Sequence, residues 1–102
     1  MSRRALRVLS AFLVDPTEEL SGVEVCAAAA APIGSLHHVL ARLEGMGWVE
    51  SRWEDPGARG EGRPSRRYYR LTGIGADLAR RSLAEARHPS ARLRWRPAAG
   101  QP

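Results

Sequence analysis

The sequence predicts a mainly helical domain carrying one small β-hairpin, and three observations predict it. Apolar residues recur at helical spacing in residues 3–14, 36–46 and 74–86. Two alternating, strand-like stretches flank a tip rich in Gly and Arg, EDPGARGEGRPS. The chain has 102 residues with 43% apolar content, enough for a single core, and a core this small favours support from a second copy.

The first helix is expected over residues 3–14, RRALRVLSAFLV. Leu6, Leu9 and Leu13 fall at helical spacing with Phe12 beside them, and Asp15-Pro16 stops the run because proline cannot continue a helix. A second helix starts at Ser21, whose hydroxyl can cap the first turn while Glu24, three residues on, reaches back to it, with Leu20 and Val25 as an apolar staple. It runs through Cys26 and a stretch of alanines, strong helix formers whose small side chains let a neighbour approach closely. Pro32 breaks it and is placed to begin the third helix.

In that third helix Leu36, Val39, Leu40, Leu43 and Met46 fall on one face. Gly34, His38, Ala41 and Gly45 point the other way, flanked by Ser35, His37 and Arg42. The outward face is narrow and made of small and hydrogen-bonding residues, so it fits a major groove and can meet bases and phosphates there. A plain solvated face has the same periodicity, and the segment that follows is what separates the two readings.

Gly47 ends the helix, after which Val49, Ser51 and Trp53 alternate with Trp48, Glu50 and Arg52, and Tyr68 to Leu71 supply a returning strand. The tip between them holds Gly57, Gly60 and Gly62 with Pro56 and Pro64, a composition that builds no core element. Arg59, Arg63, Arg66 and Arg67 present cations at its tip and neck. An amphipathic helix followed directly by a basic hairpin is the order of a winged helix-turn-helix. The third helix then reads DNA with Ser35, His37, His38 and Arg42, and the wing holds phosphates.

The charge distribution agrees. All sixteen basic residues are Arg, which grips phosphate and guanine bidentately, although a GC-rich genome also favours Arg over Lys. Residues 1–7 carry three arginines and no acid, and residues 56–71 carry five against one acid. Residues 8–55 carry eight acids against two arginines, and residues 87–102 carry four arginines and no acid. Positive charge therefore gathers at both ends and in the hairpin.

The run SLHHVLARLEGMGWVESRWE followed by GRPSRRYYRLTGIG resembles the PadR family of bacterial transcriptional regulators. That family's signature is a Leu-x-Arg-Leu-Glu helix, a Gly-aromatic-or-Leu-Val strand start, and a Gly-Arg-Pro wing leading to Tyr-Tyr-x-Leu-Thr-x-x-Gly. The ordered motifs span roughly residues 22–86. The resemblance implies a repressor that binds its operator as a homodimer, with Ser35 and Arg42 at positions where the family's recognition helix has a hydroxyl residue and an Arg. His37 and His38 stand where the family usually has Tyr-Pro. The chain has room for one helix after the wing, which places it with the family's short members.

That helix is expected from Thr72, a good N-cap, to about Ala86. Ile74 and Leu78 lie on one side of it, and Ala76, Ala79, Leu83 and Ala86 form a small-residue stripe on the other. A small monomer covers one face, so the stripe is assigned to a twin subunit, a role the last helix has in short PadR-like proteins. Residues 1–86 are thus expected as one DNA-binding domain with its dimerisation helix. Residues 87–102, with Arg92, Arg94 and Arg96 alternating around Leu93 and Trp95, are expected as a flexible basic tail.

Other classes fit less well. Cys26, His37 and His38 are residue types that ligate zinc, but adjacent histidines on a helix point about 100° apart and cannot share a metal as an i, i+4 pair can. Cys26 reads as a small hydrophobe of the core, and no disulfide can form within a chain that has one cysteine. No phosphate loop, nucleophile elbow or carboxylate pair marks an enzyme, and no cofactor is expected. With no signal-like or membrane-length apolar run, a soluble cytoplasmic protein is expected. The competing function is a winged helix for protein contact, in which Trp48, Trp53 and Tyr68 form an anchor patch and the wing grips an acidic partner. A small-molecule effector between the first and last helices is one route by which such a regulator would release DNA.

Overall fold

The computed structural model describes residues 1–55, 57, 62 and 64–87. Helix α1 (Arg3–Leu13) leads to a two-residue strand β1 (Leu20–Ser21), helices α2 (Gly22–Ala29) and α3 (Ile33–Gly45), the hairpin strands β2 (Val49–Trp53) and β3 (Arg67–Leu71), and helix α4 (Gly73–Arg87). The fold is mainly helical with one small antiparallel sheet in the order β1-β3-β2. Strand β1 adds to the sequence expectation. Leu20 and Ser21 pair with Tyr69 and Tyr68, which makes β3 the central strand, and two residues are too few to show alternation.

Side-chain caps define where the helices begin. The Ala5 amide donates to Ser2 Oγ at the start of α1. At α2 the Glu24 amide donates to Ser21 Oγ at 3.2 Å while the Ser21 amide donates to Glu24 Oε1 at 2.8 Å, the reciprocal box expected from the sequence. Helix α2 ends on Ala30, which takes the left-handed conformation at φ 54° so that the Ala31 amide can reach the Cys26 carbonyl. Pro32 is the N-cap residue of α3 rather than its first helical residue, because its extended ψ of 153° is what turns the chain. Across this short turn α2 and α3 are bent by 107°, as in a helix-turn-helix.

At its far end α3 closes with a left-handed Gly47 (φ 79°). The Gly47 amide donates to the Glu44 carbonyl and the Trp48 amide to the Leu43 carbonyl, satisfying two carbonyls that the helix end would otherwise leave open.

The core gathers Val8, Leu9 and Phe12 of α1, Val25 and Ala29 of α2, Leu36, Leu40 and Leu43 of α3, Val49 and Leu71 of the sheet, and Ala76 and Ala79 of α4. Of the face expected for the third helix, Val39 is only half-buried and Met46 is exposed, since Met46 is already the cap residue beyond the last turn.

The expectation for the last helix is corrected. Ala76 and Ala79 do not form an open stripe; both are buried in the chain's own core, Ala79 completely. Their small side chains belong to a close approach inside the monomer, where Gly75 lies against the main-chain carbonyl of Trp48. Thr72 Oγ1 accepts from the Gly75 amide at 2.9 Å and donates to the Gly47 carbonyl at 2.7 Å, tying the start of α4 to the turn after α3. Leu83 is half-buried, while Ala86 and Ile74 are exposed. Most of the expected tail, residues 88–102, lies outside the described residues.

Candidate nucleic-acid interface

The exposed edge of α3 and the hairpin beside it form the candidate surface. Three leucines bury the opposite side of α3, which turns His37, His38, Ala41 and Arg42 outward into solvent. Ser35 is half-buried in the first turn of the helix. Arg42 makes no ion pair among the described residues, so its guanidinium is available to a partner. On one flank, a shallow cavity of about 260 Å³ separates α3 from the start of α1, with Met1, Ala5, His38, Arg42 and Met46 in its walls. On the other flank, a groove of about 390 Å³ separates α3 from the wing and is lined by His37, Ala41, Glu44, Trp53, Arg67 and Tyr69.

The wing's cations are not equivalent. On the sheet face away from α3, Arg52 grips Glu19 with two hydrogen bonds of 2.7 Å and lies over the Tyr68 ring at 5.1 Å. Its guanidinium holds the Glu19 carboxyl below the usual carboxylate range, chiefly through that hydrogen-bonded contact. Arg70 pairs with Glu50 across the strands at 2.6 Å. Arg66 is exposed at the neck and has no ion pair among the described residues; its backbone carbonyl accepts from the Glu54 amide at 2.6 Å.

Arg67, expected to hold phosphate, is already engaged within the chain. It donates to Ser51 Oγ from Nε at 3.1 Å and from a terminal nitrogen at 2.8 Å, lies 3.6 Å from Glu44, and stacks over Trp53 at 5.0 Å. Its charge is therefore shared with an acid of α3. Arg59 and Arg63 lie outside the described residues.

Sequence reading gave Glu44 and Ser51 no role and assigned Trp53 only to a protein-contact patch. The signal was present in the alternation, because Ser51 and Trp53 share a strand face and register opposite Tyr69 and Arg67. Alternation also divides the anchor patch proposed for a protein partner. Tyr68 registers with Arg52 on one face, Trp53 lies on the other, and Trp48 packs half-buried against the core. Burial raises the Tyr69 hydroxyl above its ordinary range. Among the described residues no three of His, Cys, Asp and Glu converge as a metal site would need, and Cys26 packs half-buried against the core. No single helix among the described residues is long and apolar enough to cross a membrane.

This arrangement offers a narrow helix edge for a groove and cations beside it for the backbone. The sequence matches the transcriptional regulator PadR-like family over residues 18–81, from the loop before β1 into α4. A PadR family transcription regulator from hypervirulent Clostridium difficile R20291 is similar in structure at 18% identity with a TM-score of 0.69, over 91% of this chain and 96% of that one. BpsR of Bordetella bronchiseptica, whose DNA binding is regulated by 6-hydroxynicotinic acid, is similar at 21% identity and a TM-score of 0.69, over 89% of this chain and 63% of that one. PcaV from Streptomyces coelicolor, solved with its natural ligand, is similar at 25% identity and a TM-score of 0.66, over 99% of this chain and 67% of that one. The aligned part of BpsR is thus a little under two thirds of its length. No curated protein sequence matches the chain.

Proposed function

The chain belongs to the PadR-like family, whose members are transcriptional regulators rather than enzymes, and from that premise we propose that it binds duplex DNA and acts as a bacterial, cytoplasmic repressor. The observation that carries the reading is the outward edge of α3, a helix set at 107° to α2 and flanked by the wing, which presents His37, His38 and Arg42, the last without an ion pair among the described residues. In this reading α3 enters the major groove, where Ser35, His37, His38 and Arg42 meet base edges. Arg66, with Arg59 and Arg63, holds phosphates.

Two copies on an inverted repeat would set their α3 helices about 34 to 36 Å apart. Leu83 and Ala86 are the residues of the expected stripe that the monomer leaves wholly or partly open to a twin. Release by a small organic ligand between α1 and α4 is part of the proposal. A neighbour whose DNA binding is regulated by a ligand and another solved with its natural ligand support it, as does a cavity of about 110 Å³ lined by Met1, Leu6, Ser82, Glu85 and Ala86.

Fluorescence anisotropy tests the reading, with duplex from upstream of the protein's own gene and a shuffled duplex of equal length at two salt concentrations. Preference for the native duplex that survives the higher salt is expected. Equal binding to both that vanishes with salt would overturn sequence-specific recognition.

A further inference from the structure

We infer that Glu44, Ser51, Arg67 and Trp53 form a brace that sets the wing's angle to the recognition helix, so that Arg67 is a positioning residue and not a phosphate ligand. The inference rests on the DNA-binding reading of α3 and the wing. Glu44 projects from the last turn of α3, and Ser51 Oγ donates to its Oε2 at 2.5 Å. Arg67, on the returning strand, reaches Ser51 with two nitrogens and Glu44 with one. Trp53, directly across from Arg67 in the ladder, stacks against the guanidinium at 5.0 Å.

One planar cation thus touches the helix and both strands of the hairpin. A planar fork can do this, whereas the point charge of a lysine cannot satisfy the same set of partners together. Glu44, Trp53 and Arg67 of the brace line the groove between α3 and the wing. The chain passes from α3 to the hairpin through Gly47 and Trp48, a turn that Thr72 already ties to α4, and the brace adds a side-chain contact between α3 and the strands farther out along the hairpin. A preset angle lowers the cost of ordering the wing on a duplex.

The sign of one substitution separates the two roles of Arg67. If Arg67 were a phosphate ligand, Glu44→Gln would remove a nearby negative charge, free the guanidinium and tighten DNA binding. If the brace holds, Glu44→Gln loosens the wing and weakens binding. Anisotropy titrations of Glu44→Gln, Arg67→Gln, Arg67→Lys and the double Gln variant against one duplex, over a salt series, decide it. Thermal melts confirm that each variant folds.

Each single variant, Arg67→Lys included, is expected to bind about five-fold more weakly, which corresponds to about 1 kcal/mol. The double variant should be no weaker than the worse single one, because both remove the same brace. The slope of log affinity against log salt should stay at the parent value. Tighter binding by Glu44→Gln, full activity of Arg67→Lys, or a slope lowered by about 0.9 in Arg67→Gln would overturn the inference.

Amide hydrogen exchange without DNA supplies an independent arm. Faster exchange in residues 49–53 and 67–71 of both Gln variants is expected, and unchanged exchange overturns the brace. If the parent protein shows no specific DNA binding, the DNA reading fails by itself and this exchange result still decides the brace.

Discussion

Gly75 lies with its bare Cα against the main-chain carbonyl of Trp48, so close that a methyl group at residue 75 would overlap the carbonyl oxygen and carbon. The same carbonyl accepts from the Thr72 amide at 3.0 Å, so the first turn of α4 is fastened to the start of β2 through backbone atoms. The spacing Leu-Thr-x-x-Gly in residues 71–75 thereby has a physical meaning: a buried leucine, a cap, and a residue that must have no side chain.

Gly75→Ala is therefore expected to destabilise the fold by about 3 kcal/mol or more, since backbone atoms cannot rotate away as a side chain can. Gly73→Ala, where a Cβ meets nothing within 4 Å, should be neutral or slightly stabilising. Urea unfolding of the two variants checks the contrast, and a similar loss in both would show that the approach to Trp48 is not what constrains the position.

Ala30 is the one described non-glycine residue with positive φ. A Cβ in that conformation is crowded by the backbone, so Ala30→Gly should stabilise the domain by about 0.5 to 1 kcal/mol despite glycine's greater freedom when unfolded. A rise of a few degrees in Tm is the expected reading, on the order of 4 to 8 °C per kcal/mol for a domain of this size. A fall would mean that Ala30 contributes packing that outweighs its strain.

The pair between Glu19 and Arg52 makes stability depend on pH in a definite direction. The folded carboxylate is harder to protonate than the unfolded one, so the pair contributes fully above the usual glutamate range and is lost as the pH falls through the depressed value. Glu19→Gln should be less stable than the parent at neutral pH, with the gap closing at acid pH below the depressed value. The pair is exposed, so the gap is small and shrinks further in salt. Equal gaps at both pH values would show that it adds nothing.

Arg42 and Arg66 should fail in different ways if the proposed function holds. Arg66→Gln is expected to weaken binding to every duplex alike and to lower the salt slope by about 0.9. Arg42→Ala should cost about 1 to 3 kcal/mol on the preferred duplex and less on others. Titrations against a panel of base-substituted duplexes separate these outcomes, and a uniform loss from Arg42→Ala would remove it from base reading.

Much of the fold was legible because local signals agreed. The Ser21–Glu24 box, the turn at Pro32, the glycine that closes α3 and the alternating hairpin each mark a boundary with side chains the sequence displays. What escaped depended on long-range partners. Whether Ala76 and Ala79 face a neighbour or their own core is decided by α1 and by the Trp48 carbonyl, neither of which a helical wheel contains. The same holds for the arginines. Arg67 counts as a wing cation by composition, yet, like Arg52 and Arg70 on the same hairpin, it finds a carboxylate elsewhere in the chain.

Ser21 is at once the last residue of β1 and the N-cap of α2, so strand and helix meet with nothing between them. A residue inserted there would part the strand from the cap, and that joint tolerates no change of length. The hairpin is built the opposite way. A backbone hydrogen bond from Glu54 to Arg66 closes its neck, and chain added beyond that bond need not disturb the sheet below it. Lineages of this architecture can thus vary how far the wing extends while the helix that stands beside it keeps its place.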